Sequence, residues 1–483
     1  MEYVSRTPQA NETVMDYSLL GGEHVQRGRR LFQTGLALLA VTLGYLTYHA
    51  NVGDQLHLFQ GLIIFVLAVL PSLLWARTGG SRFPAFEAIM VLCANAYAIP
   101  MINAREQLAD YSEDVISRAG WAVIVYLISA NVTYRLTGGV PGRGRFWRES
   151  LISNQTEKLM NYGMVLSTIY AGVSNFTTWI PRELESTLRA VFYGAGILCT
   201  FVGSQRWGRG EMDRSEKIIF VGTLVPQLFF MSVGLVLIAA VTQIGIALLG
   251  YLSGGKRIPW VVIVLAFGAL SVLHTGKTRM RTKYWDEQAP APTFTQIVEY
   301  YAEWVDYGLQ PTSGGKTVSQ KMIERTSLMH ILCLISSYTP ERQDYLYGST
   351  YVHVLPQLIP RFFWAAKPRS HIATFELGIY YGLQREEDTT TTTIAFGLLA
   401  EAYANFGIVG GIMLGVFWGF VLKKCQIWST FSPMFSFAGL FMILLTAWTL
   451  SAELTMAAWV SSFEQAVVVV LGVPMVLRSL FGN

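Results

Sequence analysis

The chain has 483 residues, of which 52% are hydrophobic and only 14% are charged, with a net charge of +4. Charged residues make up about a quarter of an ordinary soluble domain, so this composition excludes a soluble globular protein. A positive charge this mild gives no reason to expect nucleic acid as a partner.

Apolar stretches long enough to cross a bilayer recur along the whole chain. A helix needs about 20 apolar residues to cross a hydrocarbon core of about 30 Å, whereas a transmembrane barrel would show short alternating segments. We therefore predict an all-α polytopic membrane protein with about 12 transmembrane helices. The predicted spans, of which the ninth is the weakest, are 31–50, 58–76, 83–103, 119–136, 157–179, 187–205, 218–249, 258–275, 322–338, 404–422, 431–450 and 455–478.

Basic residues in the short loops predict which side of the membrane each loop faces, because such loops remain in the cytoplasm. The basic loops near Arg77, Arg145, Arg209, Lys277 and Lys423 fall on one side, and the acidic segment 103–118 falls on the other. Both termini are thus predicted to be cytoplasmic. The long loop 339–403, between helices 9 and 10, is predicted to be extracytoplasmic. Its basic residues run against the rule; either the loop is long enough to escape the rule, or it folds back into the protein.

These assignments divide the chain into four parts. We predict a cytoplasmic N-terminal segment at 1–30, an N-terminal transmembrane bundle at 31–275, a cytoplasmic loop at 276–321 and a C-terminal transmembrane part at 322–483. Within the cytoplasmic loop, "FTQIVEYYAEWVDYGLQ" (294–310) spaces its apolar residues as an amphipathic helix does. Such a helix lies on the membrane surface or packs on the protein's own cytoplasmic face.

The segment "PRFFWAAKPRSH" (360–371) concentrates positive charge in an otherwise apolar chain. Arg361 and Arg369 flank Lys367, and Pro360 and Pro368 restrict the backbone around them. Guanidinium groups remain charged and bind phosphate through two parallel hydrogen bonds. We predict that this segment binds a diphosphate carried by a lipid. The alternative is that it only contacts lipid headgroups.

Other polar residues near the membrane suit transfer of a sugar. Glu401 is the candidate general base, because burial and a nearby arginine can tune a carboxylate for proton abstraction; the alternative is an ion pair with Arg325 or Arg361. His353 and His371 are rival bases. The predicted sugar-binding residues are Trp364, Tyr380, Tyr403, Asn405, His353 and His371.

Metal-binding motifs do not stand out in the sequence. There is no HExxH pattern, and the first extracytoplasmic loop, "NVGDQLH" (51–57), contains no DxD. We therefore expect no metal and no other cofactor, so that arginines would have to neutralise the diphosphate.

The C-terminal motifs resemble those of the Wzy-type oligosaccharide repeat-unit polymerases, which make O-antigen and exopolysaccharide. The resemblance is carried by "ERTS" from Glu324, "YLYGSTY" from Tyr345, "IPRFFWAAKP" from Ile359 and "EAYANFGIVG" from Glu401. It covers roughly 325–411, about a fifth of the chain, and PR-x-x-W-x-x-KP is its most specific element. The chain departs from the family pattern at Ala365 and Ala366, where polar residues are common.

This resemblance implies a GT-C-like glycosyltransferase at the outer face of the bacterial inner membrane. Such an enzyme moves a growing chain from undecaprenyl diphosphate onto a new lipid-linked repeat unit, without metal or nucleotide sugar. The family implies that Arg361 and Arg369 hold the diphosphate, with Arg325 and Arg342 in support. It also implies a lipid-linked donor and acceptor in the bilayer, and a polysaccharide chain-length regulator as a further partner.

Three other readings of the sequence stay open. An O-antigen ligase would use the same chemistry with a different acceptor. A lipid-linked oligosaccharide flippase or other transporter would require polar residues in both leaflets. A non-enzymatic component of an export assembly would tolerate loss of the arginines.

Overall fold

The structure is a computed structural model of the whole chain. It describes residues 22–472 except for 79–82, 104–107, 142–146, 148–153, 178, 181, 236, 256–258, 287–288, 291, 311–326, 360–363, 365, 391–393, 431, 433–435 and 451–452. Across the described part of the chain the regular structure is helical, with no strand.

Helices follow one another along the chain, joined mostly by short turns. They are α1 (Gly22–Tyr48), α2 (Gln55–Arg77), α3 (Ala85–Asn103), α4 (Glu113–Leu136), α5 (Asn154–Phe176), α6 (Arg182–Arg209), α7 (Arg214–Ser232), α8 (Ile238–Ser253), α9 (Trp260–Arg281), α10 (Ile297–Leu309), α11 (Met329–Tyr338), α12 (Val354–Gln357), α13 (Ile372–Tyr380), α14 (Leu398–Trp428), α15 (Phe437–Thr449) and α16 (Met456–Val467).

Six of the described helices are long and apolar enough to cross a membrane. They lie in α1, α2, α3, α4, α9 and α14, and α8, α11 and α15 are shorter apolar helices. The predicted class, an all-helical membrane protein, is confirmed at this level.

The parallel pair α4 and α14 forms the centre of the bundle. Gly411, Gly415 and Gly419 lie one turn apart on α14 and face the backbone of α4. A Cβ on Gly419 would lie 2.6 Å from the carbonyl oxygen of Ala130, so any side chain there would push the helices apart. Small residues at this spacing allow membrane helices to approach closely. We call the end of the bundle where α4 and α14 begin the loop end.

The predicted span 218–249 is wrong, because two helices occupy it. α7 ends at Ser232 and α8 begins at Ile238, so the chain turns back between them. α8 runs in the same direction as α6: Gln243 Nε2 donates to the carbonyl of Gly196 at 3.2 Å, and Gly254 packs against the carbonyl of Gln205. Residues 233–237 carry no charge, so the hydropathy of the sequence gives no sign that one helix ends and another begins there.

Each helix between this turn and the long loop therefore runs in the direction opposite to the one predicted from the sequence. At the end of α9, Arg281 donates to the carbonyl of Leu235 at 3.0 Å, and Tyr300 of α10 donates to the carbonyl of Val233 at 2.8 Å. Lys277 lies close enough to act electrostatically on Glu453. The carbonyl of Glu453 in turn accepts the N–H of the residue before α14.

Segment 277–310 therefore lies at the loop end, beside segment 339–397. The prediction that these two segments face opposite sides is wrong. The amphipathic helix expected at 294–310 is present as α10, and it packs on the protein: Tyr300 and Trp304 are buried, and Trp304 Nε1 donates to the carbonyl of Leu273 in α9 at 2.7 Å. The first half of α9, residues 260–269, is mostly exposed.

The predicted ninth span is also wrong in its described part. α11 has ten residues, about 15 Å of helix, which is half of what a crossing needs. It begins near the middle of α3, where the Leu328 N–H donates to the carbonyl of Ala96 at 3.0 Å. It ends beside the first turns of α4, where Arg118 donates to the carbonyl of Ser336 at 3.3 Å.

Cysteine labelling tests this arrangement. In a cysteine-free background, Thr293→Cys and Glu386→Cys are expected to react equally with a membrane-impermeant maleimide in intact cells, because both side chains lie exposed at the loop end. Ser215→Cys, exposed at the opposite end, should react only after the cells are permeabilised. Opposite reactivity at 293 and 386 would contradict the hairpin between α7 and α8.

Candidate functional site

The segment 339–397 folds over the loop end and forms a polar cap. Its helix α13 packs against residues 338–344: Gln343 Nε2 donates to the carbonyl of Tyr380 at 2.7 Å, and the Tyr380 hydroxyl donates to the carbonyl of Asp344 at 2.9 Å. The hydroxyls of Thr339 and Tyr381 lie 2.8 Å apart. Burial raises the pKa of Tyr381 to about 12, so this phenol keeps its proton and the contact is a neutral hydrogen bond.

A kink in α14 fastens the cap to the bundle. Gly407 has φ 60°, which glycine adopts without steric cost, and the carbonyls of Ala404 and Asn405 leave the helical ladder there. They accept the N–H groups of Leu346 and Tyr347 at 3.0 and 3.1 Å. A Cβ on Gly407 would lie 2.7 Å from the Tyr345 hydroxyl. Two carbonyls freed by one break thus hold the segment that leads into the cap.

Asn405 completes this attachment. Its Oδ1 accepts the N–H of Gly348 at 2.8 Å, and its Nδ2 donates to Thr350 Oγ1 and to the carbonyl of Glu401, each at 2.8 Å. The side chain is fully buried, and Tyr403 is 1% exposed. The prediction that Asn405 and Tyr403 contact sugar does not fit this burial, because a sugar of the growing chain cannot reach them.

Glu401 is likewise buried, with no exposed surface. Its Oε2 accepts the N–H of Met456, the first residue of α16, at 2.6 Å, and its carboxylate also interacts with Thr350. A carboxylate is favourable at a helix N-terminus, where N–H groups have no partner in the helix. Glu401 therefore joins α14 to α16, and its position does not suit the predicted role of general base.

Arg118 is the residue at this site that sequence reasoning missed. It lies in the second turn of α4, where Nη2 donates to Glu341 Oε1 at 3.0 Å and Nη1 to the carbonyl of Ser336 at 3.3 Å. Tyr403 also interacts with it. In the sequence Arg118 immediately precedes the predicted span 119–136, so it belongs to the acidic segment 103–118 and gives no sign of its partners.

Three of the predicted diphosphate ligands are described by the structure, and these three are not brought together as one group. Lys367 is 4% exposed, and its Nζ donates to the carbonyls of Gln357 and Ile359 at 3.0 and 2.8 Å, so its ammonium holds its own loop. Arg369 and Arg342 are exposed. The nine residues of α13 separate their attachment points, about 13 Å of helix. Arg361 and Arg325 lie outside the described residues.

Two histidines of the cap remain candidates for proton transfer. His353 Nε2 lies 2.8 Å from Glu376 Oε1, and their side chains are 20% and 44% exposed. The N–H of Nε2 donates to the carboxylate, which leaves Nδ1 as the acceptor. His371 is half-buried beside Phe375, and burial lowers its pKa. Trp364 is 38% exposed and Tyr380 is half-buried, so both rings reach the surface of the cap.

A pair of substitutions separates the two roles of Glu401. Glu401→Gln keeps an oxygen that accepts the Met456 N–H, so the protein should keep its thermal stability and its activity. Glu401→Ala leaves that buried N–H unpaired, at a cost of about 1–3 kcal/mol, which should appear as a lower midpoint of thermal unfolding in detergent. A stable but inactive Glu401→Gln variant would restore Glu401 as the general base.

The fold and site define a multi-pass helical membrane protein with a polar cap at one end. Comparison of the sequence with protein-family models, with curated proteins and with solved structures finds no match. The function therefore has to be argued from the cap and from the sequence motifs within it.

Proposed function

We propose that the chain is a membrane glycosyltransferase that polymerises oligosaccharide repeat units carried on undecaprenyl diphosphate. One observation carries the proposal. Exposed arginines and a histidine–carboxylate pair share the polar cap at one end of an apolar helical bundle. A lipid-linked diphosphate presents its charge at this depth while its prenyl chain stays in the hydrocarbon. The motifs that resemble the Wzy-type polymerases, 325–411, include nearly the whole cap.

The arginines would bind the leaving group. Arg369, with Arg361 of the same segment, would hold the donor diphosphate. Because α13 separates Arg342 from Arg369, Arg342 would bind the phosphate of a second lipid. As the anomeric C–O bond breaks, negative charge grows on the diphosphate oxygen. Fixed cations aimed at developing charge are commonly the largest catalytic contribution. No metal ion is needed for this neutralisation.

The acceptor hydroxyl needs a base. His353 Nδ1 takes the proton as the hydroxyl oxygen attacks the anomeric carbon, and Glu376 stabilises the imidazolium that forms. A base oriented by a third group is the usual arrangement for activating a hydroxyl nucleophile. Direct displacement inverts the anomeric centre, the glycan moves to the acceptor, and undecaprenyl diphosphate leaves.

The orientation follows from the same proposal. In this proposal α1–α9 and α14–α16 each cross once, although α15 and α16 have only 13 and 12 residues, which gives twelve spans with both termini in the cytoplasm. The cap then faces the exterior of the bacterial inner membrane. A chain-length regulator would meet the enzyme on this side.

Arginine substitutions test the proposal. Arg369→Ala and Arg361→Ala are each expected to lower polymerisation by about 10²–10³-fold, with single lipid-linked repeats accumulating. Gel analysis of surface glycan and of lipid-linked intermediates, in a deletion strain that carries each variant, measures this. Lys424→Ala, at the opposite end, where Nζ bonds the carbonyl of Gly138, is the matched control.

The same gels distinguish the alternatives. Normal polymer from both arginine variants would refute an enzymatic role. Full-length polymer that remains on its lipid carrier in the deletion strain would identify a ligase. Lipid-linked repeats that stay on the cytoplasmic face would identify a transporter.

The proposed base has its own test. His353→Ala should lower the rate by about 10²–10⁴-fold. Glu376→Gln should lower it less, because the glutamine still orients the imidazole and only the negative charge of the carboxylate is lost. His49→Gln, an exposed histidine at the same end, should leave the rate unchanged. Equal activity of the His353 variant and the wild type would exclude His353 as the base.

A further inference from the structure

A second group of polar side chains at the loop end plays no part in the proposed transfer. It joins the start of α2 to the start of α4: Asp54 is the N-cap of α2, His57 lies in its first turn, and Glu113 is the first residue of α4. One ligand atom from each residue lies within 4.8 Å of the others. We propose that Asp54, His57 and Glu113 bind a divalent transition-metal ion that fastens the start of α2 to α4.

The histidine is held in the orientation that a metal ligand needs. His57 is 3% exposed, and its Nε2 lies 3.2 Å from the carbonyl oxygen of Glu113. A carbonyl only accepts, so this contact is a hydrogen bond in the tautomer whose proton is on Nε2. Metal-binding histidines almost always donate the second ring N–H in this way, which fixes the tautomer. Nδ1 then points its lone pair at the two carboxylates.

In this tautomer, a positive charge would stabilise the contact on Nδ1. Nδ1 lies 3.0 Å from Glu113 Oε2, and with the proton on Nε2 both of these atoms are acceptors. A cation between them turns this repulsion into two favourable bonds. Two ligand atoms of one tetrahedral zinc ion lie about 3.3 Å apart, close to this separation. A second proton on the ring is the competing explanation, and it would leave Asp54 without a function in the cluster.

Asp54 is available as the third ligand. Its Oδ1 caps α2 by accepting the N–H of Leu56 at 3.0 Å, which orients the carboxylate and leaves Oδ2 for the cluster. The backbone comes close here: a Cβ on Gly53 would lie 2.7 Å from Glu113 Oε1. Glycine at position 53 therefore makes room for the carboxylate that the cluster requires.

A cavity of about 190 Å³ opens beside His57 and Glu113, with Asn51 and Tyr111 also in its wall. Three protein ligands and an open side leave coordination positions for water. One imidazole with two carboxylates suits Zn²⁺ or Mn²⁺ better than Ca²⁺ or Mg²⁺, which prefer oxygen alone. The ligands come from the N-terminal ends of two helices distant in sequence, so their spacing forms no recognisable metal motif.

Metal binding to the purified full-length protein tests this proposal without reference to activity. After treatment with a chelator, protein in detergent is titrated with ZnCl₂ and separately with MnCl₂ by calorimetry. We expect one saturable site for at least one of the two ions and a rise in the midpoint of thermal unfolding when it fills. Metal analysis of the protein as purified should give about one ion per chain.

The variants remove ligands and keep the fold. Asp54→Asn retains the helix cap, since asparagine caps as well as aspartate does, and the amide N–H of Glu113→Gln can donate to His57 Nδ1. Each should weaken binding by about 10–100-fold, and His57→Gln by at least as much. His49→Gln, at the same end of the bundle, should bind as the wild type does. Absence of saturable binding to the wild type, or equal binding by Asp54→Asn, would overturn the proposal.

Discussion

The break in α14 at Gly407 is the constraint on which the cap depends. A continuous helix would use the carbonyls of Ala404 and Asn405 in its own ladder. The break releases both, and two successive N–H groups of segment 345–350 bind them. Asn405 then adds hydrogen bonds on the same surface, and Glu401 ties the region to α16. The irregular cap is thereby fixed to the most tightly packed pair of helices in the bundle.

Buried polar residues and exposed ones have separate tasks in this arrangement. Glu401, Asn405 and Thr350 sit where water is absent and every hydrogen bond is strong, so they define the shape of the cap. Lys367 acts in the same way from within its own loop. The groups left for a ligand are those at the surface, chiefly Arg369 and the His353–Glu376 pair. The side chains that attach the cap to the bundle are thus different from the side chains that are left to bind a ligand.

The sequence predicted the class of protein well, because apolar length depends only on composition. Its two errors in topology have local causes. The turn between α7 and α8 lacks charge, so it looks like more of the same span. α11 is apolar but too short to cross, and only the depth of its contact with Ala96 reveals this.

At the site, the sequence identified the right region but not the role of each residue. The sequence shows which hydrogen bonds Glu401 and Asn405 are able to make. It does not show that they are buried, because the residues that cover them belong to α16 and to segment 345–350, which are distant in sequence. Arg118 escaped notice for the same reason, since its partners Glu341 and Ser336 are more than 200 residues away. Contacts between distant segments decide these roles, and no local pattern encodes them.

One helix depends on something other than the protein for its position. α9 is held at its loop end through Leu273 and Arg281, whereas most residues of its first half, 260–269, are exposed. Hydrocarbon chains must therefore provide the opposing surface there, and a helix supported in this way tilts with the thickness of the bilayer. The acyl-chain length of the host membrane would then change the angle of α9, while the hydrogen bond from Tyr300 to Val233 keeps α10 on the protein.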